Sequence, residues 1–255
     1  MNSKRLTGKC AVITGSAGGI AIATALSFAK EGASVVLVDI DQKGVEETAA
    51  RVAQEGARVK ACVTDVTSRK EVKRTFSEAA DFMGGIDILV TCAGGYHTYA
   101  NFEDITESDW DRVIELNLKS VFLCCHTVIP YMKASGWGRI INLGSLAGRS
   151  TSAGSSPAHY ASAKAAVSML TQYIAKDVAP YSITANTVAP GTTLTQRVKR
   201  LLTPEKQRMF TKICPLGYLA EPEDISGLIT FLASEESRYI TGTTIDVNGG
   251  RLMLV

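Results

Sequence analysis

A serine, a tyrosine and a lysine carry the chemistry this sequence offers. Ser145 precedes Tyr160 by fifteen residues, and Tyr160-Ala-Ser-Ala-Lys164 lies in an alanine-rich run, 159–178, whose apolar residues recur at helical spacing. On a helix, residues four apart share a face, so Tyr160 and Lys164 point the same way. An ammonium beside a phenol favours the phenolate and lowers its pKa. A free tyrosine titrates near ~10, so a neutral-pH base needs a fall of roughly 2–3 units, about 3–4 kcal/mol of differential interaction, which a nearby lysine together with a cationic cofactor could supply. The pair reads as general acid–base machinery with Tyr160 as the proton carrier. That spacing also arises on helices by chance, so its meaning depends on the elements that position it.

Those elements alternate strand and helix from the start of the chain. The apolar run 9–14 (KCAVIT) leads into Gly15-Ser-Ala-Gly18-Gly19-Ile20-Ala21 and then a helical pattern to about residue 30. Strand, glycine turn and helix present free backbone N–H groups to a pyrophosphate, with Gly15, Gly18, Gly19 and Ile20 the candidate contacts. The run 33–39 (ASVVLVD) has the apolar, β-branched character of a parallel strand buried on both faces. Asp39 ends it, where a carboxylate accepts from the adenosine ribose hydroxyls and repels a 2′-phosphate. The alternative is a solvated or capping carboxylate, a role open equally to Asp41. No Arg or Lys stands at positions 16–18 to attract a 2′-phosphate, so NAD is preferred over NADP. A helix at 42–54, a strand at 58–64, a helix at 69–82 and a strand at 86–90 follow. Asp65-Val66 closes the third strand, either to meet the adenine edge or to cap the next turn. Ala93 and Gly94, small residues past the fourth strand, leave room for a cofactor. The alternation predicts a doubly wound parallel sheet with helices on both faces and a ligand outside the carboxyl ends of the strands.

The 255 residues suffice for one large core, and residues 1–255 are expected to form a single domain. With 45% hydrophobic and 20% charged residues and a net charge of +2, nothing calls for nucleic acid or an anionic membrane. No window has the roughly 18 uninterrupted apolar residues of a membrane span, and the first residues lack an apolar signal core; a cytoplasmic protein is expected. The six cysteines (Cys10, Cys62, Cys92, Cys124, Cys125 and Cys214) show no Cys-x-x-Cys spacing, and most sit in apolar runs. They read as buried thiols. The three histidines are too scattered for a metal cluster.

Taken in order, these motifs resemble the short-chain dehydrogenase/reductase family over nearly the whole chain. Thr14-Gly15-x-x-x-Gly19-Ile20 resembles its cofactor turn, Asp65 its adenine-side acid, and Asn117 its helix asparagine. Ser145, Tyr160 and Lys164 resemble its active-site serine, tyrosine and lysine. Asn186-Thr-Val-Ala-Pro190-Gly191, with Thr193 and Thr195 beyond, resembles its nicotinamide-side segment. The resemblance implies a Rossmann-like fold of about seven strands and an NAD-dependent oxidoreductase acting on a secondary alcohol or ketone. Tyr160 is then the acid/base, Ser145 holds the substrate oxygen, and Lys164 keeps Tyr160 acidic and binds the nicotinamide ribose. Asn117 holds a water that links Lys164 to solvent. It also implies a homo-oligomer, a tetramer or dimer. Read without the resemblance, Asn117 is a buried residue satisfied by backbone and Ser145 a strand-end cap. Three departures stand out: Ala21 for a third glycine, Thr91 and Cys92 for a usual pair of asparagines, and a longer stretch from Ser145 to Tyr160, with 149–157 expected to bulge over the pocket.

Two other functions remain open at this level. One is an NADPH-dependent 3-oxoacyl thioester reductase, against which Asp39 argues. The other is a non-catalytic dinucleotide-binding scaffold or redox sensor, which has no use for the Ser145, Tyr160, Lys164 and Asn117 set. After Gly191 the chain predicts a short amphipathic helix at 196–202 in a mobile substrate segment, about 191–215. Its Arg197, Lys199 and Arg200 either meet an anionic substrate or form a solvated face. Tyr96, His97, Ser152 and His159 are candidates to line the pocket. The apolar residues of the C-terminal tail are expected to pack against another subunit.

Overall fold

The computed structural model describes residues 4–97, 99–151 and 156–253. Its strands are β1 (Cys10–Thr14), β2 (Ser34–Asp39), β3 (Val59–Val63), β4 (Ile88–Thr91), β5 (Gly138–Leu143), β6 (Ile183–Pro190) and β7 (Thr244–Val247). They form one parallel sheet in the order β3-β2-β1-β4-β5-β6-β7. The order reverses between β1 and β4, where a crevice opens at the carboxyl ends.

The strand sequences show why both faces are covered. Along β1 and β2, Val12, Val36 and Val38 face one side, while Ala11, Ile13, Val35 and Leu37 face the other, and all are fully buried. The first face packs on α3 (Arg69–Met83), α5 (Ser120–Ser135) and α6 (Ala158–Val178). The second packs on α1 (Gly19–Lys30), α2 (Gln42–Gln54) and α9 (Pro222–Leu232). Helix ends follow local chemistry. Ser68 caps α3 by accepting from the Glu71 N–H, and Gly84 ends it in the left-handed region at φ 84°.

Helix α4 (Glu107–Ile114) runs through a π turn, Glu115–Lys119, into α5. The joined stretch Glu107–Ser135 is long and apolar enough, by length and composition, to cross a membrane. Its apolar side, with Val121, Leu123, Cys124, Val128 and Met132, is instead spent on the core against the sheet and α6. Of the cysteines, Cys62, Cys124, Cys125 and Cys214 are buried, Cys10 and Cys92 are partly so, and all six are free thiols.

Past β6 lie α7 (Gln196–Leu201) and α8 (Pro204–Lys212). The segment 203–213 was expected as mobile chain; it is mostly helix, because Thr203 accepts from the Lys206 N–H and Pro204 supplies a preset first turn. In the tail, Met253 is 73% exposed, and residues 254 and 255 lie outside the described residues. Arg251 donates through Nη1 to Thr192 Oγ1 at 2.9 Å, tying the tail to the loop after β6.

Candidate active site

The glycine turn is shaped by contact with the end of β4. Gly15 has φ +72°, and a Cβ there would lie 2.6 Å from the Ala93 nitrogen. Both the conformation and the space therefore demand glycine. A Cβ on Gly19 would meet the Thr195 side chain at 2.9 Å, which brings the start of α1 against the start of α7. Gly18 precedes α1 in extended conformation with no side-chain cap, so the helix N-terminus keeps its donors for an anion. Ala21 is 1% exposed in the core, where its methyl is accommodated.

Asp39 and Asp41 separate into different roles. Asp41 caps α2 through the Gly44 N–H. Asp39 reaches the glycine turn, with Oδ2 accepting from Ala17 N–H at 2.9 Å and Oδ1 from Asp41 N–H at 3.0 Å. Asp65 is used as a turn cap, its Oδ1 accepting from the backbone N–H and the hydroxyl of Thr67. Val66, expected as a cofactor contact, has only its backbone to offer one. Its side chain is buried in the core on the α3 side because the chain turns inward to start α3.

On the other side of the crevice, Tyr160 and Lys164 project from α6 toward the end of β5. Ser145, just past β5, lines the same cavity as Tyr160, and its Oγ accepts from the Ala147 N–H at 3.1 Å. Lys164 Nζ donates to the Leu143 carbonyl at 2.7 Å. A Cβ on Gly148 would lie 2.5 Å from the Ala165 nitrogen, so the turn after Ser145 sits directly on α6 beside Lys164. The Tyr96 ring packs on Tyr160, with centroids 4.9 Å apart. Arg197 on α7 reaches across to donate to the Tyr96 carbonyl.

The expected lowering of Tyr160 draws on Lys164 and a cationic cofactor together, and the protein's own groups act in the other direction. Burial pushes the Tyr160 phenol above its ordinary value; the Ser145 hydrogen bond opposes this, the Tyr96 hydroxyl adds to it and Arg197 opposes it. Burial also pushes Lys164 down, to about 8, with Cys92 opposing. Its ammonium is aimed at the Leu143 carbonyl and lies 5.9 Å from the centre of the Tyr160 ring. Desolvation of each charged form therefore outweighs their mutual help.

Asn117 is fully buried in the π turn. Its Nδ2 donates to the carbonyls of Gly95 at 2.8 Å and Val113 at 2.9 Å, and its Oδ1 accepts from Gly95 N–H at 2.7 Å. Those bonds use both amide protons, so the side chain braces the loop after β4. A Cβ on Gly94 would sit 2.7 Å from Asn117 Oδ1 and 3.2 Å from Lys164 Nζ, so the brace and the lysine meet at that glycine.

Between these walls lies a cavity of about 550 Å³. Ile20, Gly94, Pro190, Gly191, Thr193 and Thr195 line it on the side of the glycine turn, and Ser145, Tyr160 and Lys164 line its floor. Tyr96 and His97 line it as expected; His159 does not. That ring is buried toward α4, with burial lowering its pKa, Asp109 raising it and Arg112 lowering it. Ser152 lies outside the described residues. Lys199 pairs with Glu221 at 3.1 Å and Arg200 donates to Gln196 Oε1 at 3.5 Å, so these two form the solvated alternative.

Sequence reading missed a buried polar chain beneath the site. Thr91 Oγ1 donates to Asn142 Oδ1 at 2.8 Å, and Asn142 Nδ2 donates to Thr171 Oγ1 at 2.9 Å. The chain fastens β4, β5 and α6 together and gives Thr91 a structural role. An asparagine inside the apolar run RIINL was the available signal. Phe210, Leu202 and Lys206, also missed, line the far wall of the cavity.

A family model described as "Enoyl-(Acyl carrier protein) reductase" matches residues 15–251. The chain is 37% identical to the 3-oxoacyl-(acyl-carrier-protein) reductase FabG of Thermotoga maritima over 96% of its own length and 98% of that protein. It is 36% identical to a 7alpha-hydroxysteroid dehydrogenase of Bacteroides fragilis, covering 96% of this chain and 95% of that one. Among solved structures, a 7 alpha-hydroxysteroid dehydrogenase complexed with NADH and 7-oxo glycochenodeoxycholic acid superposes with a TM-score of 0.92. That pair is 35% identical, covering 97% and 96% of the two chains.

Proposed function

The chain is a member of the short-chain dehydrogenase/reductase family, and on that footing we propose that it is an NAD-dependent oxidoreductase interconverting a secondary alcohol and a ketone. One observation carries this reading: Ser145, Tyr160 and Lys164, the last one helical turn from Tyr160, line one cavity together with Ile20 of the glycine turn. The residues present fit a nicotinamide dinucleotide. The α1 N-terminus is uncapped by any side chain, Gly15 and Gly19 leave no space a Cβ could share, and Asp39 stands at the ribose end. The carboxylate and the absence of a basic residue at 16–18 favour NAD over NADP.

A bound dinucleotide supplies the hydride acceptor or donor: in oxidation the substrate C–H electron pair leaves as hydride, and the alcohol becomes a ketone. The hydroxyl proton passes to Tyr160, and in reduction Tyr160 returns it to the carbonyl oxygen. Ser145 holds that oxygen by hydrogen bond while its Oγ is fixed by the Ala147 N–H. Lys164, anchored on the Leu143 carbonyl, holds positive charge below the reacting oxygen while it is protonated. Because burial raises Tyr160, the protein's own groups keep the phenol as an acid. That state suits reduction at neutral pH, and oxidation is favoured as pH rises. The substrates named for the relatives, a 3-oxoacyl thioester and a 7-hydroxysteroid, share only the carbonyl or carbinol at the reacting carbon. Self-association, as a dimer or tetramer, is supported by exposed Phe122 on α5 and by Met169 and Tyr173 on α6.

The test is turnover of a ketone panel by the wild-type chain and by Tyr160→Phe, with NADH and with NADPH. Wild type is expected to prefer NADH, and the variant to bind NADH while losing turnover by about 10²-fold or more. A preference for NADPH overturns the cofactor assignment, and a variant within tenfold of wild type overturns the role of Tyr160.

A further inference from the structure

The charge on the cavity wall is one-sided. Its described lining includes two lysines, Lys164 and Lys206, and no aspartate or glutamate. Lys164 lies on the floor and is committed to the Leu143 carbonyl. Lys206 is on α8, exposed at the mouth, and has no ion-pair partner among the described residues. Four nearby cations have partners: Arg197 the Tyr96 carbonyl, Lys199 Glu221, Arg200 Gln196 and Arg208 Glu205.

The position of Lys206 is built. Thr203 caps α8 through the Lys206 N–H, and Pro204 fixes its first turn. Lys206 and Phe210, four apart on α8, share a face and line the cavity, and Leu202, just before that helix, lines it too. Tyr96, Tyr99 and Leu146 add further apolar and aromatic surface to its lining. Apolar walls also strengthen the field of a charge at the rim.

Resting on the dehydrogenase reading above, we infer that the substrate is a ketone or secondary alcohol on a bulky apolar body bearing a carboxylate, and that Lys206 selects it by meeting the carboxylate at the cavity mouth.

The experiment uses the full chain with NADH and a set of ring ketones, each offered as the free acid and as its methyl ester. 4-Oxo-4-phenylbutanoate and a 7-oxo bile acid are the first two pairs. Wild type is expected to favour the acids, and Lys206→Glu to lower the acid-to-ester ratio of kcat/KM by about tenfold, an effect that shrinks as salt rises. An unchanged ratio, or a rise confined to the dinucleotide KM, overturns the inference while leaving the dehydrogenase reading intact. No turnover of any acid or ester with either NADH or NADPH overturns both.

Discussion

Replacing Asn117 tests whether its amide holds the loop beside Lys164. The side chain makes three backbone bonds at 2.7–2.9 Å and is fully buried. Asn117→Ala leaves the Gly95 N–H and carbonyl without partners, at ~1–3 kcal/mol each. Partial relaxation makes about 2–4 kcal/mol the expected loss, independent of pH. Asn117→Asp keeps an acceptor for Gly95 N–H but turns its second oxygen on two carbonyls. The ionised form is repelled there, so the folded state holds the proton more tightly than the unfolded chain does. A raised carboxyl pKa means the folded protein binds more protons, so stability falls as pH rises above the unfolded value of ~3.9. A rise of two units corresponds to about 2.7 kcal/mol. Urea unfolding at pH 4.5 and 7.5 should show the gap between wild type and Asn117→Asp widening by about 2 kcal/mol, while the Asn117→Ala gap stays level. Both variants should lower kcat, since Gly94 abuts Asn117 and Lys164 together. An Asn117→Asp gap that stays level with pH, or full activity in both variants, would refute the brace.

Lys164→Met gives a second pH signature. Burial takes the folded Lys164 down to about 8, against ~10.4 unfolded, so the unfolded chain binds more protons between these values and wild-type stability rises with pH there. Relative to the variant, wild type should gain about 2 kcal/mol between pH 7 and 10 by urea unfolding; a flat difference contradicts the buried lysine. Gly15→Ala should cost about 2–4 kcal/mol, since it adds a backbone clash to a left-handed residue. Gly56→Ala, at φ +80° with open space around its Cβ, should cost about 1 kcal/mol. Equal thermal shifts for the two would remove the argument that the glycine turn is pressed against Ala93.

Much of this arrangement is visible in local sequence because parallel strands and their crossovers are written locally. The runs CAVIT and ASVVLVD need burial on both faces, and the intervening glycines announce a turn before a helix. Tyr160 and Lys164 share a face because helical geometry requires it. The contacts that decide the site join residues distant in sequence. Asn117 meets Gly95, Thr91 meets Asn142, and Leu202, Lys206 and Phe210 reach the cavity only because α8 folds back over it. His159 shows the complementary failure. It is one residue from Tyr160, and one residue on a helix is about 100° of rotation, which turns the ring away from the cavity into the packing with α4.

The sign of the Tyr160 shift illustrates a deeper limit. Residue types and spacing place an ammonium near a phenol, but the charge state depends on what each group loses on leaving water. Here the Lys164 ammonium faces a carbonyl, and its own charge weakens with burial, so little of its field is available to stabilise a phenolate. The same low-polarity surroundings magnify any charge that enters the cavity later. A cationic group placed beside Tyr160 would lower the phenol, and an anionic one at the floor would raise Lys164. Ligand occupancy, more than the protein alone, should therefore set the ionisation of this pair. The corresponding expectation is that the apparent pKa for alcohol oxidation, read from kcat, lies below the raised value set by the protein's own groups. An apparent pKa that is identical in the free and saturated enzyme would mean that Tyr160 is not the titrating group.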